Sequence, residues 1–141
     1  MATTTATITL ASADILSDNL SVSATSTLYK DASTATGLDQ VRMGRNEIAV
    51  GATFDLLDAT AAGIDKAAKV MIANDSTDET YYVTIVIDAK TIGRLYAGDW
   101  MFIPWNQDDA THDLEITATN GTNKITWMCF HEGETLTTQA D

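Results

Sequence analysis

The side chains best suited to catalysis are few in this sequence. His112 and His131 are the two histidines, and Cys129 is the single cysteine. No His-x-x-x-His or Cys-x-x-Cys pair occurs, so the spacing does not favour a transition-metal site. Neither histidine accompanies a known nucleophile motif, and the glycines are scattered singly rather than grouped in a phosphate-binding loop. We therefore expect a protein that is not an enzyme and has no catalytic residues.

Acidic side chains cluster in two polar segments of the chain. They are Asp75, Asp78, Glu79, Asp108, Asp109 and Asp113. Oxygen-rich loops of this kind can hold Ca²⁺, but no twelve-residue calcium-binding pattern is present. The first interpretation is a solvated acidic surface without a cofactor or metal, and a calcium site is the alternative.

Tryptophan and arginine are the side chains that point to a binding surface. Trp100 and Trp127 are in phase with apolar neighbours, which predicts burial, whereas Trp105 follows Pro104 and precedes a polar segment. We therefore expect Trp105 to be exposed, where its ring could stack on a sugar or contact a partner. The arginines that stand out in this chain are Arg42, Arg45 and Arg94. They either pair with nearby acids or dock onto an acidic protein, since arginine is enriched at interfaces.

The charge of the chain excludes several classes of partner. Among 141 residues, Lys and Arg total 8 and Asp and Glu total 20, which gives a formal net charge of −12. Binding to nucleic acid through phosphates needs a basic surface, as does binding to an anionic membrane. No apolar run is long enough to span a membrane, and the N-terminal residues lack the pattern of a secretory signal. We expect a protein made in a cytoplasm, with neither nucleic acid nor membrane as its partner.

Residues 80–105 form the apolar centre on which the other elements are expected to pack. In the first part of this segment, apolar side chains recur at every second position, which is the period of a β-strand. They are Tyr81, Val83, Ile85 and Ile87. After a turn at residues 97–99, residues 100–103 form a second run that is apolar on both sides. These two segments predict the central strands of a sandwich.

Alternation predicts further strands on both sides of this centre. They cover residues 2–10, 20–29, 46–57, 69–73, 114–118 and 125–130. Asn120-Gly121 is the strongest turn signal in the chain, and it predicts a tight hairpin between the last two of these strands. Residues 58–66 have some helical potential, which Gly63 weakens, so a loop or one short helical turn is expected there.

Short strands separated by polar turns, without a long helix, predict an all-β fold. We expect an antiparallel β-sandwich, jelly-roll-like, with an extended N-terminal arm. Residues 1–45, rich in Thr, Ser and Ala, are expected to form the arm and a peripheral strand of this single domain. Residues 46–133 are expected to form the sandwich core, and residues 134–141 an acidic tail. The order of the strands does not follow from these patterns.

The first part of the arm, residues 1–19, carries few large apolar side chains. They are Ile8, Leu10, Ile15 and Leu16. Fixing each residue costs about 1–2 kcal/mol of backbone entropy, which so small an apolar set does not offset. A threonine-rich alternating segment can instead form main-chain hydrogen bonds with a sheet edge of another subunit. Ile8 and Leu10 are therefore candidate partner-binding residues, and a cyclic homo-oligomer is expected, for which a trimer is one arrangement.

Four segments between residues 68 and 135 follow a recognisable succession of strands and turns. They are Lys69-Val-Met-Ile-Ala-Asn-Asp-Ser, Tyr82-Val-Thr-Ile, Leu95-Tyr-Ala-Gly-Asp-Trp-Met-Phe-Ile-Pro-Trp and Gly133-Glu134. Through these segments, residues 68–135 resemble small β-sandwich virion proteins of tailed bacteriophages. The resemblance implies a structural subunit at the capsid surface, first of all a capsid decoration (cement) protein. Such a protein would bind the major capsid protein and other copies of itself. A tail or head-fibre component that contacts host glycans is an alternative within the resemblance.

A carbohydrate-binding module is a further alternative, and it comes from the residues rather than from the resemblance. It would use Trp105 and the loop carboxylates, with or without calcium.

Overall fold

The computed structural model describes residues 3–30, 32–58, 67–106 and 112–132, and this part of the chain contains ten β-strands. They are β1 (Thr4–Ser12), β2 (Leu20–Leu28), β3 (Gln40–Ile48), β4 (Thr53–Leu57), β5 (Ala67–Asn74), β6 (Tyr82–Ile87), β7 (Lys90–Tyr96), β8 (Trp100–Asn106), β9 (Leu114–Thr119) and β10 (Asn123–His131). The loop or helical turn predicted at residues 58–66 and the acidic tail fall almost entirely outside the described residues.

Eight of the strands form two four-stranded sheets. One sheet has the order β3-β10-β5-β8 and the other the order β4-β9-β6-β7, and all neighbouring strands in both are antiparallel. Apart from β6 and β7, consecutive strands from β3 onwards lie in opposite sheets. Two packed sheets connected in this way form a jelly roll. The predicted antiparallel sandwich of jelly-roll type is therefore confirmed.

The core lies between the two sheets and is built from alternate side chains of each strand. Its most deeply buried large aliphatic side chains are Ile48, Val70, Ile72, Val83, Ile85, Leu114, Ile116 and Ile125. Fully burying a side chain of this size contributes about 1.5–3 kcal/mol. The alternation predicted for β6 and β9 is confirmed, because their buried positions are those expected from the sequence.

A buried asparagine, Asn74, holds one end of the sandwich together. Its side-chain amide donates to the carbonyl oxygen of Leu95 (3.0 Å) and to Oδ1 of Asn123 (3.1 Å). Its own Oδ1 accepts a hydrogen bond from the backbone N–H of Ser76 (3.1 Å). Asn74 is 1% exposed, and a buried amide is costly unless it is hydrogen-bonded in this way. The network connects the end of β5 to β7 and β10.

The single strand predicted over residues 46–57 is wrong. The chain forms β3 and β4 there, separated by a turn in which Gly51 has a φ of +78°. Glycine adopts this left-handed conformation without the steric penalty of a Cβ atom. Ile48, Val50 and Phe54 keep the same alternation on both sides of the turn, which conceals the break, but Val50 is 58% exposed.

The turn at Asn120 and Gly121 has the predicted backbone but does not form the predicted hairpin. Both residues have positive φ values, +60° and +85°. The turn connects β9 to β10, yet these strands belong to opposite sheets and do not pair with each other. The buried sides of both strands, with Ile116 and Ile125 among them, face the shared core. The two strands therefore stack across the interior instead of lying side by side.

The N-terminal arm is a hairpin in which β1 pairs with β2 as a separate two-stranded sheet. Its base is attached to the body where Thr4 Oγ1 donates to the carbonyl oxygen of Leu38 (3.0 Å) and the Leu38 N–H donates to that of Leu28 (2.6 Å). Leu28 and Leu38 are buried there. The division expected at residue 45 falls inside β3, which pairs along its length with β10 of the sandwich.

Candidate interaction surface

The outer side of the sheet β3-β10-β5-β8 is apolar, although the solvent side of a sandwich sheet is commonly polar. Side chains alternate along each strand, so those that do not face the core point outwards. Seven of the outward side chains form what we call the methionine face. They are Val41, Met43, Met71, Trp100, Phe102, Met128 and Phe130. A contiguous apolar patch on a protein surface is typical of an interaction site.

Strand register places three methionines in one row across this sheet. Met128 of β10 lies opposite Met43 of β3 and also opposite Met71 of β5, and Met71 lies opposite Phe102 of β8. At the two edges of the face, Met43 is 61% exposed and Trp100 is 53% exposed. Because methionine is flexible and polarisable, a row of methionines can adapt to the shape of a partner.

The arm forms one wall of an apolar groove on the methionine face. The groove has a volume of about 350 Å³. Its lining residues are Thr4, Thr5, Ala6, Thr7, Ile8 and Leu28 of the arm, and Met71, Trp100, Phe102, Met128 and Phe130 of the sheet. Ile8, a predicted partner-binding residue, thus lies where the arm meets the methionine face, and it remains 38% exposed.

The arm also presents an apolar side to solvent. Leu10 of β1 pairs with Val22 of β2, and these side chains are 57% and 49% exposed. The opposite side is made of Thr and Ser, of which Thr7 and Thr25 share a hydrogen bond of 2.9 Å between their hydroxyl oxygens. Leu10, a predicted partner-binding residue, thus lies exposed on the more apolar side of this hairpin.

Charged side chains lie within and beside the methionine face. Within the four strands, the outward charged side chains are Arg45, Lys69, Lys124 and Glu47, and Asp39, Asp75 and Glu132 adjoin the strand ends. Arg45, Glu47, Asp75 and Lys124 line a depression of about 440 Å³ at one end of the sheet. Within the strands themselves, outward bases therefore outnumber outward acids, whereas the whole chain has 8 bases and 20 acids.

The outer side of the other sheet carries a smaller aromatic cluster. The ring centroids of Tyr82 and Tyr96 are 5.2 Å apart, and the guanidinium carbon of Arg94 lies 4.8 Å from the Tyr82 centroid. A hydrogen bond with the side chain of Tyr96 and the proximity of Tyr82 raise the pKa of Arg94. The predicted partner-binding residue Arg94 is thus held against its neighbours, on the sheet opposite to the methionine face.

For the two tryptophans of β8, the structure shows the opposite of the predicted exposure. Trp105 is 4% exposed and its Nε1 donates to the carbonyl oxygen of His112 (2.7 Å), whereas Trp100 is 53% exposed. The predictions of an exposed Trp105 and a buried Trp100 are wrong. Proline cannot donate a backbone hydrogen bond to a neighbouring strand, but an edge strand such as β8 can contain it. β8 therefore continues through Pro104, which points outwards, and Trp105 points into the core.

Arg42 and Arg45 project from opposite sides of β3. Arg45 is exposed beside the methionine face, whereas Arg42 is half-buried on the inner side and lies opposite Cys129 of β10. Burial raises the pKa of the Cys129 thiol, an effect that the nearby Arg42 partly opposes. Cys129 is fully buried. The structure therefore groups Ile8, Leu10 and Arg45 around the arm and the methionine face, and leaves the other candidates apart from them.

The remaining candidate groups for chemistry do not converge. His131 is buried, with its Nδ1 2.9 Å from the carbonyl oxygen of Glu132. Two hydrogen bonds from Thr80 lower the pKa of Asp78, which is exposed. Within the described ranges, no group of three or more His, Cys, Asp or Glu side chains could hold a metal ion. Asp108 and Asp109 lie outside those ranges.

Reasoning from the sequence misses the methionine face, although a signal for it exists. In β10, buried Ile125 and Cys129 are interleaved with Met128 and Phe130, so the strand is apolar in both phases. Only one side of each sheet in a two-layer sandwich faces the core. A strand of this fold that is apolar on both sides must therefore present apolar side chains on its outer side as well.

Comparisons with known proteins show no family for this chain. No protein-family model and no curated protein matches the sequence. Among solved structures, it is similar to a cupin protein from Bacteroides fragilis, with a TM-score of 0.38 and 20% identity, over 72% of this chain and 77% of that chain. No inference about function follows from so distant a likeness. The part of the chain that the structure describes has no helix that is long and apolar enough to cross a membrane.

Proposed function

We propose that this chain is a non-enzymatic virion structural protein of a tailed bacteriophage, and specifically a capsid decoration protein. The arm is the observation that supports this proposal most. It is a hairpin that does not extend either sheet of the sandwich, and Leu10 and Val22 on its apolar side are exposed. An exposed apolar side on a projecting element is suited to contact with another protein. The resemblance of residues 68–135 to virion sandwich proteins supplies the class of partner.

In this proposal the protein binds the outer surface of the major capsid protein and stabilises the head. It is made in the host cytoplasm and resides at the capsid surface. Neither nucleic acid nor a membrane is a partner, since the formal net charge of −12 opposes contact with both. Copies also associate with one another, so that several weak contacts with the capsid act together as one strong attachment.

The proposal is tested by binding the purified protein to capsids assembled from the major capsid protein of the same genome. We compare Leu10→Glu with Thr9→Glu, which adds the same charge at the adjacent position on the hydroxylated side of the arm. Leu10→Glu should weaken co-sedimentation with capsids by roughly tenfold or more, which corresponds to about 1.4 kcal/mol for each binding site. Thr9→Glu should bind like the unmodified protein.

Two results would contradict the proposal. The first is that the unmodified protein stays in the supernatant at every capsid concentration. The second is that Leu10→Glu and Thr9→Glu bind equally well, which would show that the apolar side of the arm is not the contact.

The carbohydrate-binding alternative loses the side chain on which it depended, because Trp105 is buried in the core. A fibre component remains distinguishable by the same assay. It would sediment with tails or fibres and not with capsids.

A further inference from the structure

We infer that the methionine face is the surface through which copies of this chain contact one another. The inference deepens the proposed function, on which it rests for its role in the particle, by assigning self-association to a definite part of the fold. The occupant of the face is a second copy of this chain, which brings its own apolar surface with few charged side chains. Composition and charge support this assignment, and the area indicates how far the contact extends.

The apolar composition of the face provides the attraction. Seven large apolar side chains lie together on one sheet, and the row formed by Met43, Met128, Met71 and Phe102 crosses all four of its strands. Val41, Met43 and Trp100 are exposed, and the other four are half-buried. Removing apolar surface from water contributes about 25 cal/mol per Å². The groove of about 350 Å³ beside the arm leaves part of this surface open at the centre of the sheet.

The distribution of charge on the chain supports a second copy as the partner of the methionine face. Copies with a net charge of −12 repel one another over most of their surfaces. The methionine face differs, because the outward charged side chains within its strands are Arg45, Lys69, Lys124 and Glu47, and β1 and β2 beside it contain no charged residue. Two copies therefore meet with least repulsion when these surfaces face each other.

The sheet supplies about half of the area of a standard interface. Four strands span about 19 Å in width, and seven residues of strand span about 23 Å in length, so the projected area is on the order of 400 Å². A standard interface buries about 800 Å² on each partner. The contact we infer therefore also includes the adjoining apolar side of the arm, where Leu10 and Val22 are exposed.

Sedimentation velocity of the full-length protein without capsids tests the inference, over a wide range of concentrations. Met43→Glu places a charge within the contact, at the edge of the face on β3, where the side chain is already 61% exposed. The control is Ile92→Glu, which makes the same kind of change at a 52% exposed position on β7 in the opposite sheet. The unmodified protein and Ile92→Glu should associate alike, and Met43→Glu should associate at least roughly tenfold more weakly. Thermal unfolding confirms that both variants are folded.

A protein that is monomeric at all concentrations overturns the inference, as does association that Ile92→Glu disrupts and Met43→Glu leaves intact. If Met43→Glu fails to fold, Met43→Gln takes its place with the same expectation in direction. Capsid binding measured on the same variants separates failure of the proposed function from failure of this inference. An oligomer that depends on Met43 but does not bind capsids supports this inference and contradicts the decoration role. A monomer that binds capsids does the reverse.

Discussion

Gly121 shows how one position can combine a backbone requirement with a packing requirement. Its φ of +85° lies in the left-handed region, which glycine reaches without strain. A Cβ atom added there would overlap the ring and the hydroxyl of Tyr81. Tyr81 thus occupies the space that the missing side chain leaves, at the turn where the chain passes from one sheet to the other.

We predict that Gly121→Ala destabilises the fold more than Gly98→Ala does. Gly98 has a similar φ of +87°, but a Cβ atom there would meet nothing within 4 Å. The change at Gly98 should therefore cost only the backbone penalty of about 1–2 kcal/mol, and the change at Gly121 should add the cost of displacing Tyr81. Denaturant unfolding measures both. Equal losses of stability would show that the Tyr81 ring moves aside freely.

At the scale of elements, the arm and the sandwich are nearly independent. β1 and β2 hydrogen-bond to each other and extend neither sheet of the body. Their attachment lies at the base of the arm, where Leu28 and Leu38 are buried outside the main core cluster. Elements joined by so small a contact can open or be removed separately.

Deleting residues 3–28 should therefore leave the sandwich folded, with a cooperative unfolding transition and a stability lowered by the exposure of Leu38. Deleting only residues 2–12 should be worse for solubility, because β2 then loses its partner strand and exposes an unpaired edge. Circular dichroism with thermal unfolding measures folding, and light scattering measures aggregation. Loss of the cooperative transition in the longer deletion would show that the arm is part of the folding unit.

The sequence predicts individual strands better than it predicts their connections. Alternation identifies β6 and β9 and their buried sides, because side-chain direction is a local property of a strand. It fails for β7, where Lys90, Gly93 and Arg94 interrupt the pattern. It also fails to show that β9 and β10 belong to different sheets, because a turn signal such as Asn120-Gly121 specifies backbone angles and not the partner of each strand.

The candidate surface is less predictable than the fold, for a reason that Trp105 illustrates. Whether a side chain is exposed depends on the phase of its strand relative to the core, and Pro104 suggests an interruption of β8 that does not occur. The methionine face could be anticipated from strands that are apolar in both phases. Which of these side chains lie next to one another, however, depends on the strand order β3-β10-β5-β8, and no local sequence pattern specifies that order.

At the scale of the whole molecule, net charge and the methionine face act in opposite directions on self-association. Repulsion between copies with a formal charge of −12 falls as salt screens it, over a distance of about 10 Å at 0.1 M. Contact between apolar surfaces is not weakened by this screening. The equilibrium between separate and associated copies should therefore shift with ionic strength.

We predict that association through the methionine face becomes stronger as sodium chloride is raised from low to moderate concentration. Sedimentation velocity of the unmodified protein measures the change, and Met43→Glu serves as the control that should remain weakly associated throughout. Weakening of the association by salt would instead indicate that ion pairs hold the copies together, with Arg45, Lys69 and Lys124 as the cations to substitute next.

The position of β10 has a consequence for how the protein is made. β10 is the last of the ten strands in the chain, yet it lies inside its sheet, with β3 on one side and β5 on the other. During translation β3 leaves the ribosome before β10, its pairing partner, in which Phe130 comes to lie opposite Val41. β10 follows the other nine described strands. The pairs β1–β2, β6–β7 and β5–β8 can form on the growing chain before β10 is synthesised, but β3 has no neighbour in its sheet other than β10. The outward apolar side chains of β3, Val41 and Met43, must therefore remain without a paired strand until β10 has emerged, and chaperones that bind nascent chains should contact this strand longest.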